Sequence, residues 1–151
     1  MRPWERRAFN TCAALVTVSG VAFGWMKYFA QPLDPFAVVN SPWQPAMLAL
    51  HLLTSPPFLL LFGIVFNSHV MRKLKGPVRG NRKTGYVSLA TFVTMVLSGY
   101  LLQVLTNEAL LQAALVAHLT SSGIFAVTYA AHLLIAALMK RPVRGRVQEA
   151  V

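Results

Sequence analysis

Four histidines, His51, His69, His118 and His132, are the side chains in this sequence with the widest chemical reach. An imidazole can bind a metal through either ring nitrogen, pass a proton, or hydrogen-bond a neighbouring helix. Their spacing narrows the choice. His51 and His69 are 18 residues apart, five whole turns of an α-helix at ~100° per residue, and His118 and His132 are 14 apart, about 40° short of four turns. Each pair therefore shares one helix face. Little else competes with them. Cys12 is the only cysteine, which excludes an internal disulfide, a thiolate metal cluster and a covalently attached c-type haem. The acids and bases fall at the ends of apolar runs or between them, which weighs against a proton-coupled transporter or ion channel. No set of catalytic residues emerges.

The elements that must position these histidines are membrane spans. Of 151 residues, 56% are hydrophobic and 12% charged, and the mean hydropathy of +0.54 is that of an integral membrane protein. Four apolar runs, at residues 8–29, 46–66, 85–105 and 110–139, each reach the roughly 20 residues that a helix needs to cross a bilayer. No barrel-like series of short alternating segments is present. The expected fold is all-α, a single-domain four-helix membrane bundle over residues 1–151.

Lys and Arg set its orientation, because they collect in short cytoplasmic segments. Arg2, Arg6 and Arg7 precede the first run, Arg72, Lys73, Lys75, Arg79, Arg82 and Lys83 fill the second connection, and Lys140, Arg141, Arg144 and Arg146 follow the last run. Only Lys27, Asp34 and Glu108 fall on the other side. Both termini are expected in the cytoplasm of a bacterium, with the spans in its inner membrane. The net charge of +10 is then a topology signal that also attracts anionic lipid headgroups, and no nucleic-acid binding is expected. The first run resembles a secretory leader and is read as a retained span.

In this topology spans two and four run the same way, with His51 and His118 at similar depth near the outer side and His69 and His132 near the inner side. Two imidazoles per level, one from each helix, are what a six-coordinate b-type haem requires of its protein. A separation of 14 residues is ~21 Å of rise, enough to stack two macrocycles. Two haems b are therefore expected, with all four histidines as iron ligands.

The chain resembles the small four-helix b-type cytochrome subunits of membrane electron-transfer complexes. Similar bis-histidine pairs occur in cytochrome b of the bc complexes and in the cytochrome b subunits of hydrogenases and formate dehydrogenases. The likeness covers roughly residues 8–139, and the segments from Leu50-His51 to Pro56-Pro57 and from Ser98-Gly99 to Gln103 look like those of bacterial membrane proteins in the same broad group. It implies electron transfer between a quinone pool and a redox partner subunit, in a protein that is not a complete enzyme by itself. One departure stands out. The bc-type pattern has near-equal spacing in both ligand helices, whereas 18 against 14 here is a mismatch of ~6 Å. Pro56 and Pro57 are expected to bend or unwind the second span and so repair it. Otherwise His69 sits near the cytoplasmic boundary and one haem remains, between His51 and His118.

Other residues fit around this centre. Arg72 and Lys73, three and four residues after His69, are expected near inner haem propionates, with the topology anchor as their other reading. Lys27, with Tyr28, Trp43 or Gln44, would serve the outer haem, although Tyr28 and Trp43 also suit an aromatic belt. Phe58, Phe62, Phe125 and Tyr129 lie on the ligand faces, as packing around macrocycles or as ordinary core. Ser121 and Ser122 follow His118 closely enough to give room or a hydrogen bond. Gly20, Gly24 and Gly99 suggest close helix packing, with haem clearance second. The proline-rich stretch 31–45 offers an outer docking surface, and Tyr100, Gln103, Asn67 and Ser68 are candidates for a quinone site. Two other classes compete: a cofactor-free structural or assembly subunit whose histidines bond between helices, and a zinc or copper carrier, against which the missing buried carboxylates count.

Overall fold

The computed structural model describes residues 2–32, 34–75 and 82–138, without the side chains of Leu74 and Arg82. Among them there is no strand. The helices are α1 (Pro3–Tyr28), α2 (Gln44–Val65), a π-helical turn (Phe66–Met71), the short α3 (Arg72–Lys75), α4 (Arg82–Val104) and α5 (Glu108–Leu138). Four stretches, Pro3–Tyr28, Gln44–Met71, Lys83–Val104 and Glu108–Leu138, are long and apolar enough to cross a membrane. They match the four apolar runs to within a few residues, apart from the start of the first and the end of the second. The protein is a multi-pass membrane protein.

The chain forms two compact units, Met1–Pro77 and Val78–Val151. Each is a helical hairpin, with α1 packed on α2 in the first and α4 on α5 in the second. Helix α1 starts where Pro3 supplies a preset φ, and the Glu5 carboxylate accepts the Arg2 backbone N–H at 2.7 Å. It ends where Phe29 and Ala30 both donate to the Trp25 carbonyl, just before Pro32. In the second hairpin three residues, 105–107, separate the helices, and the Asn107 side chain caps α5 by accepting the Leu110 N–H at 3.1 Å. So short a connection obliges α4 and α5 to run antiparallel.

Phe9, Ala13, Val16 and Ser19 form the inward stripe of α1, at the three- and four-residue steps of one helix face, and meet Phe58 and Val65 of α2. Phe92, Met95 and Ser98 of α4 do the same against Ala114, Ser121 and Phe125 of α5. Large apolar side chains such as Val18, Leu60, Leu97 and Val127 stay exposed on each hairpin. A lipid-facing surface has that composition, because hydrocarbon solvates Leu and Val as well as a protein core does.

Pro56 and Pro57 do not unwind the helix. Helix α2 runs unbroken through both and leaves α geometry only at Phe66, in the π turn that contains His69. The proline φ suits a helix, and only two N–H donors are lost. Arg79 and the basic residues 140–146 of the orientation argument, and position 139 of the fourth run, lie outside the described residues.

Candidate functional site

In the first hairpin the half-buried His51 lies across the inter-helix seam onto α1. Its Nδ1 is 3.0 Å from the Val16 carbonyl oxygen and 3.5 Å from Ser19 Oγ. A carbonyl only accepts, so Nδ1 carries the proton and the lone pair is on Nε2. The ring is seated on Gly20: a Cβ there would stand 2.8 Å from His51 Cε1 and 2.9 Å from Nδ1. Ser19, almost fully buried, donates to Leu15 O at 2.7 Å and Val16 O at 3.2 Å, so its proton stays on its own helix while its oxygen sits beside the imidazole.

The second hairpin repeats the arrangement. His118 Nδ1 donates to the Met95 carbonyl at 3.0 Å, with Ser98 Oγ 3.4 Å away. Ser98 donates to Thr94 O at 2.7 Å and Met95 O at 3.1 Å. A Cβ on Gly99 would lie 3.1 Å from His118 Cε1 and 3.3 Å from Nδ1. The likeness extends along the ligand helices. Thr54 donates to Leu50 O at 2.7 Å and His51 O at 3.3 Å, and Ser121 donates to Ala117 O and His118 O at the same two distances. Val16, Ser19 and Gly20 map onto Met95, Ser98 and Gly99 by a shift of 79 residues, and His51, Thr54, Phe58 and Phe62 onto His118, Ser121, Phe125 and Tyr129 by one of 67. The seat of one histidine is thus repeated in the two hairpins.

His132 has a related seat toward the open end of the second hairpin. Its Nδ1 is 3.1 Å from Thr84 Oγ1, and Gly85 follows, where a Cβ would make an ordinary 3.8 Å contact with Cε1. Thr84-Gly85 and Ser98-Gly99 are 14 residues apart on α4, as are His132 and His118 on α5. A hydroxyl residue followed by glycine thus faces three of the four histidines. The fourth is placed differently. His69 is half-buried in the π turn. At its end of α1 the dipeptide is Glu5-Arg6, and buried Glu5 accepts Ser68 Oγ at 3.0 Å through the oxygen that also takes the Arg2 N–H.

The neighbours expected to surround a cofactor divide in two. Phe58 and Phe125 are core residues of their own hairpins, with Phe58 5.0 Å from Phe9 by ring centroids and Phe125 5.7 Å from Phe92 and stacked on Tyr129 at 5.5 Å. Phe62 meets Phe66 at 5.9 Å. The Ser121 hydroxyl is spent on its own helix. Gly24 has no atom within 4 Å of an added Cβ, and Gly20 and Gly99 accommodate imidazole rings. Ser122 is half-buried, and Arg72, Lys73, Asn67 and Gln103 are exposed. So are Tyr28, Trp43 and Tyr100. Lys27 lies 5.7 and 5.6 Å from the Phe23 and Tyr28 ring centroids. Asn40 ties the first connection down, donating through Nδ2 to Lys27 O at 2.9 Å and through its N–H to Gln44 Oε1 at 3.2 Å.

The Ser-Gly and Thr-Gly dipeptides are the site residues that the histidine spacing does not reveal. A signal was present, since the dipeptide recurs at the interval that separates His118 from His132. Among the described residues no three His, Cys, Asp or Glu side chains gather as a metal cluster. Compared with family models, curated proteins and solved structures, the chain matches none.

Proposed function

We propose that the chain is a b-type membrane cytochrome subunit that carries electrons across a bacterial inner membrane between quinone and a redox partner. The observation that carries this reading is the repeated seating of His51 and His118: Nδ1–H donated to a backbone carbonyl, the ring held on glycine, and the lone pair left on Nε2. An axial ligand needs this tautomer, and an anchored Nδ1 fixes ring orientation and raises ligand basicity. Each hairpin brings one such imidazole, and a six-coordinate haem takes two. Bound haem supplies the one-electron iron chemistry, while the chain supplies ligands, burial and spacing.

His69 and His132 form the inner pair of this reading, with Arg72 and Lys73 beside the propionates. The termini are cytoplasmic. The partner docks on the outer connection, where Phe36 and Val38 protrude almost fully exposed from a segment braced by Asn40. A second reading, a cofactor-free assembly subunit, draws on the same contacts, because a histidine bonded to a neighbouring helix's carbonyl also joins two helices.

The two readings separate in a reduced-minus-oxidised visible spectrum with pyridine haemochrome quantification. Two haems b per chain are expected, with one lost in His51→Ala and the same one lost in His118→Ala. Well-folded protein without a Soret band would leave only the structural reading.

A further inference from the structure

At the end of the first hairpin where α1 begins and α2 gives way to α3, the two signs of charge are sorted by depth. Arg2, Arg6, Arg7, Arg72, Lys73 and Lys75 are all exposed. Across residues 2–10 and 66–75 the one acid is Glu5, and it is buried. One oxygen of its carboxylate accepts the Arg2 N–H at 2.7 Å and the Ser68 hydroxyl at 3.0 Å, and the other lies 4.0 Å from Arg2 Nε. In that loose ion pair the Arg2 side chain stays 76% exposed. The surface of this end is therefore strongly positive.

Contacts of residue 5 with 68, 9 with 58 and 16 with 51 run the two helices in opposite directions. Arg2, three residues before Glu5, and Arg72, four after Ser68, thus both lie about 4–6 Å beyond the Glu5–Ser68 tie on the same side. Arg6 is four residues from Arg2 and Lys75 three from Arg72, so each pair shares a face of its own helix. Beside them Trp4 is 51% exposed at the start of the span, where an indole suits the boundary between headgroups and hydrocarbon. Two groups of cations at one end of a helix pair, rimmed by an interfacial aromatic, match the basic pockets that take phosphate-bearing lipid headgroups between membrane helices.

We infer that this end of the first hairpin binds one phospholipid carrying two phosphates, of the diphosphatidylglycerol class. One phosphate sits at Arg2 and Arg6 and the other at Arg72 and Lys75, while the acyl chains pass Trp4 into the hydrocarbon. The lipid then ties α1 to the end of α2 from outside, as the Glu5–Ser68 bond does from within. Nothing is transferred at the site, which uses no histidine and no haem.

The test is native mass spectrometry of the full chain in lauryl maltoside, titrated in parallel with diphosphatidylglycerol, phosphatidylglycerol and phosphatidylcholine. One diphosphatidylglycerol per chain should bind, at least tenfold more tightly than either other lipid. Arg6→Gln and Arg72→Gln should each weaken it about fivefold, and together about 25-fold. Lys27→Gln, which removes a cation from the other end of α1, should leave it unchanged. Phosphatidylglycerol or phosphatidylcholine bound as tightly, an equal loss in Lys27→Gln, or full binding in the double variant would overturn the inference. Displacement of the lipid by inorganic pyrophosphate would overturn it too, by showing a site for free anions.

Discussion

At the scale of single residues, glycine lies under three of the four imidazoles. The three glycines under histidine rings form a graded series, with a new Cβ meeting the ring at 2.8 Å for Gly20, 3.1 Å for Gly99 and 3.8 Å for Gly85. Gly20→Ala must push His51 off the Val16 carbonyl, at an overpacking cost of about 1–3 kcal/mol. Gly99→Ala asks His118 to give by a few tenths of an ångström, and Gly85→Ala asks nothing of His132. If the imidazoles hold haem as proposed, haem-to-protein ratios should rise in that order, Gly20→Ala lowest and Gly85→Ala indistinguishable from wild type. An equal loss in all three would mean that the glycines do not act through the rings. These seats show what was legible in the sequence and what was not. Helical arithmetic put His118 and His132 on one face, and both turn to α4, whereas for His51 and His69 the π turn from Phe66 interrupts the α-helical count. Gly20 is 31 residues from His51 and on another helix, so its role became visible only when α1 and α2 were paired.

At the scale of elements, each hairpin is held by a short apolar seam and a few end contacts. Phe58 is buried against Phe9, whereas Leu60, two residues on, is 69% exposed. Phe58→Ala should destabilise the first hairpin by about 3–5 kcal/mol. Leu60→Ala should stay within about 0.5 kcal/mol, both measured by reversible unfolding in mixed detergent. Comparable losses would mean that Leu60 is covered in the working protein. In the second hairpin, removing the Asn107 cap by Asn107→Ala should cost about 1 kcal/mol in the same assay. Helix positions followed from hydropathy because length and apolar composition decide a span locally. The π turn did not. Its sequence, from Phe66 to Met71, has no breaker, and a contact made within it, between Glu5 and Ser68, joins residues 63 positions apart. The prolines drew attention to the wrong part of α2, because local propensity yields to packing in a long apolar helix.

At the scale of the whole molecule, the asymmetry of basic residues is the feature with the longest reach. If Lys and Arg hold the termini and the second connection in the cytoplasm, a reporter that is active only in the cytoplasm should work when fused after residue 151. It should fail when inserted near Val38. The opposite pattern would invert the membrane sides assigned to the two histidine levels. Replacing Arg72, Lys73 and Lys75 with Gln weakens that hold, and a mixed-orientation population should appear in protease-protection assays.

The division into two hairpins bears on how the chain is made. Each pairs helices that are neighbours in sequence, α1 with α2 and α4 with α5, so a ribosome can deliver the first to the membrane and let it close before α4 is synthesised. Insertion then becomes two successive events of the same kind. Separate messages for Met1–Pro77 and Val78–Val151 should each yield a membrane-embedded product, the second with its own start codon. Biogenesis would treat the polypeptide as two small proteins joined by a basic tether.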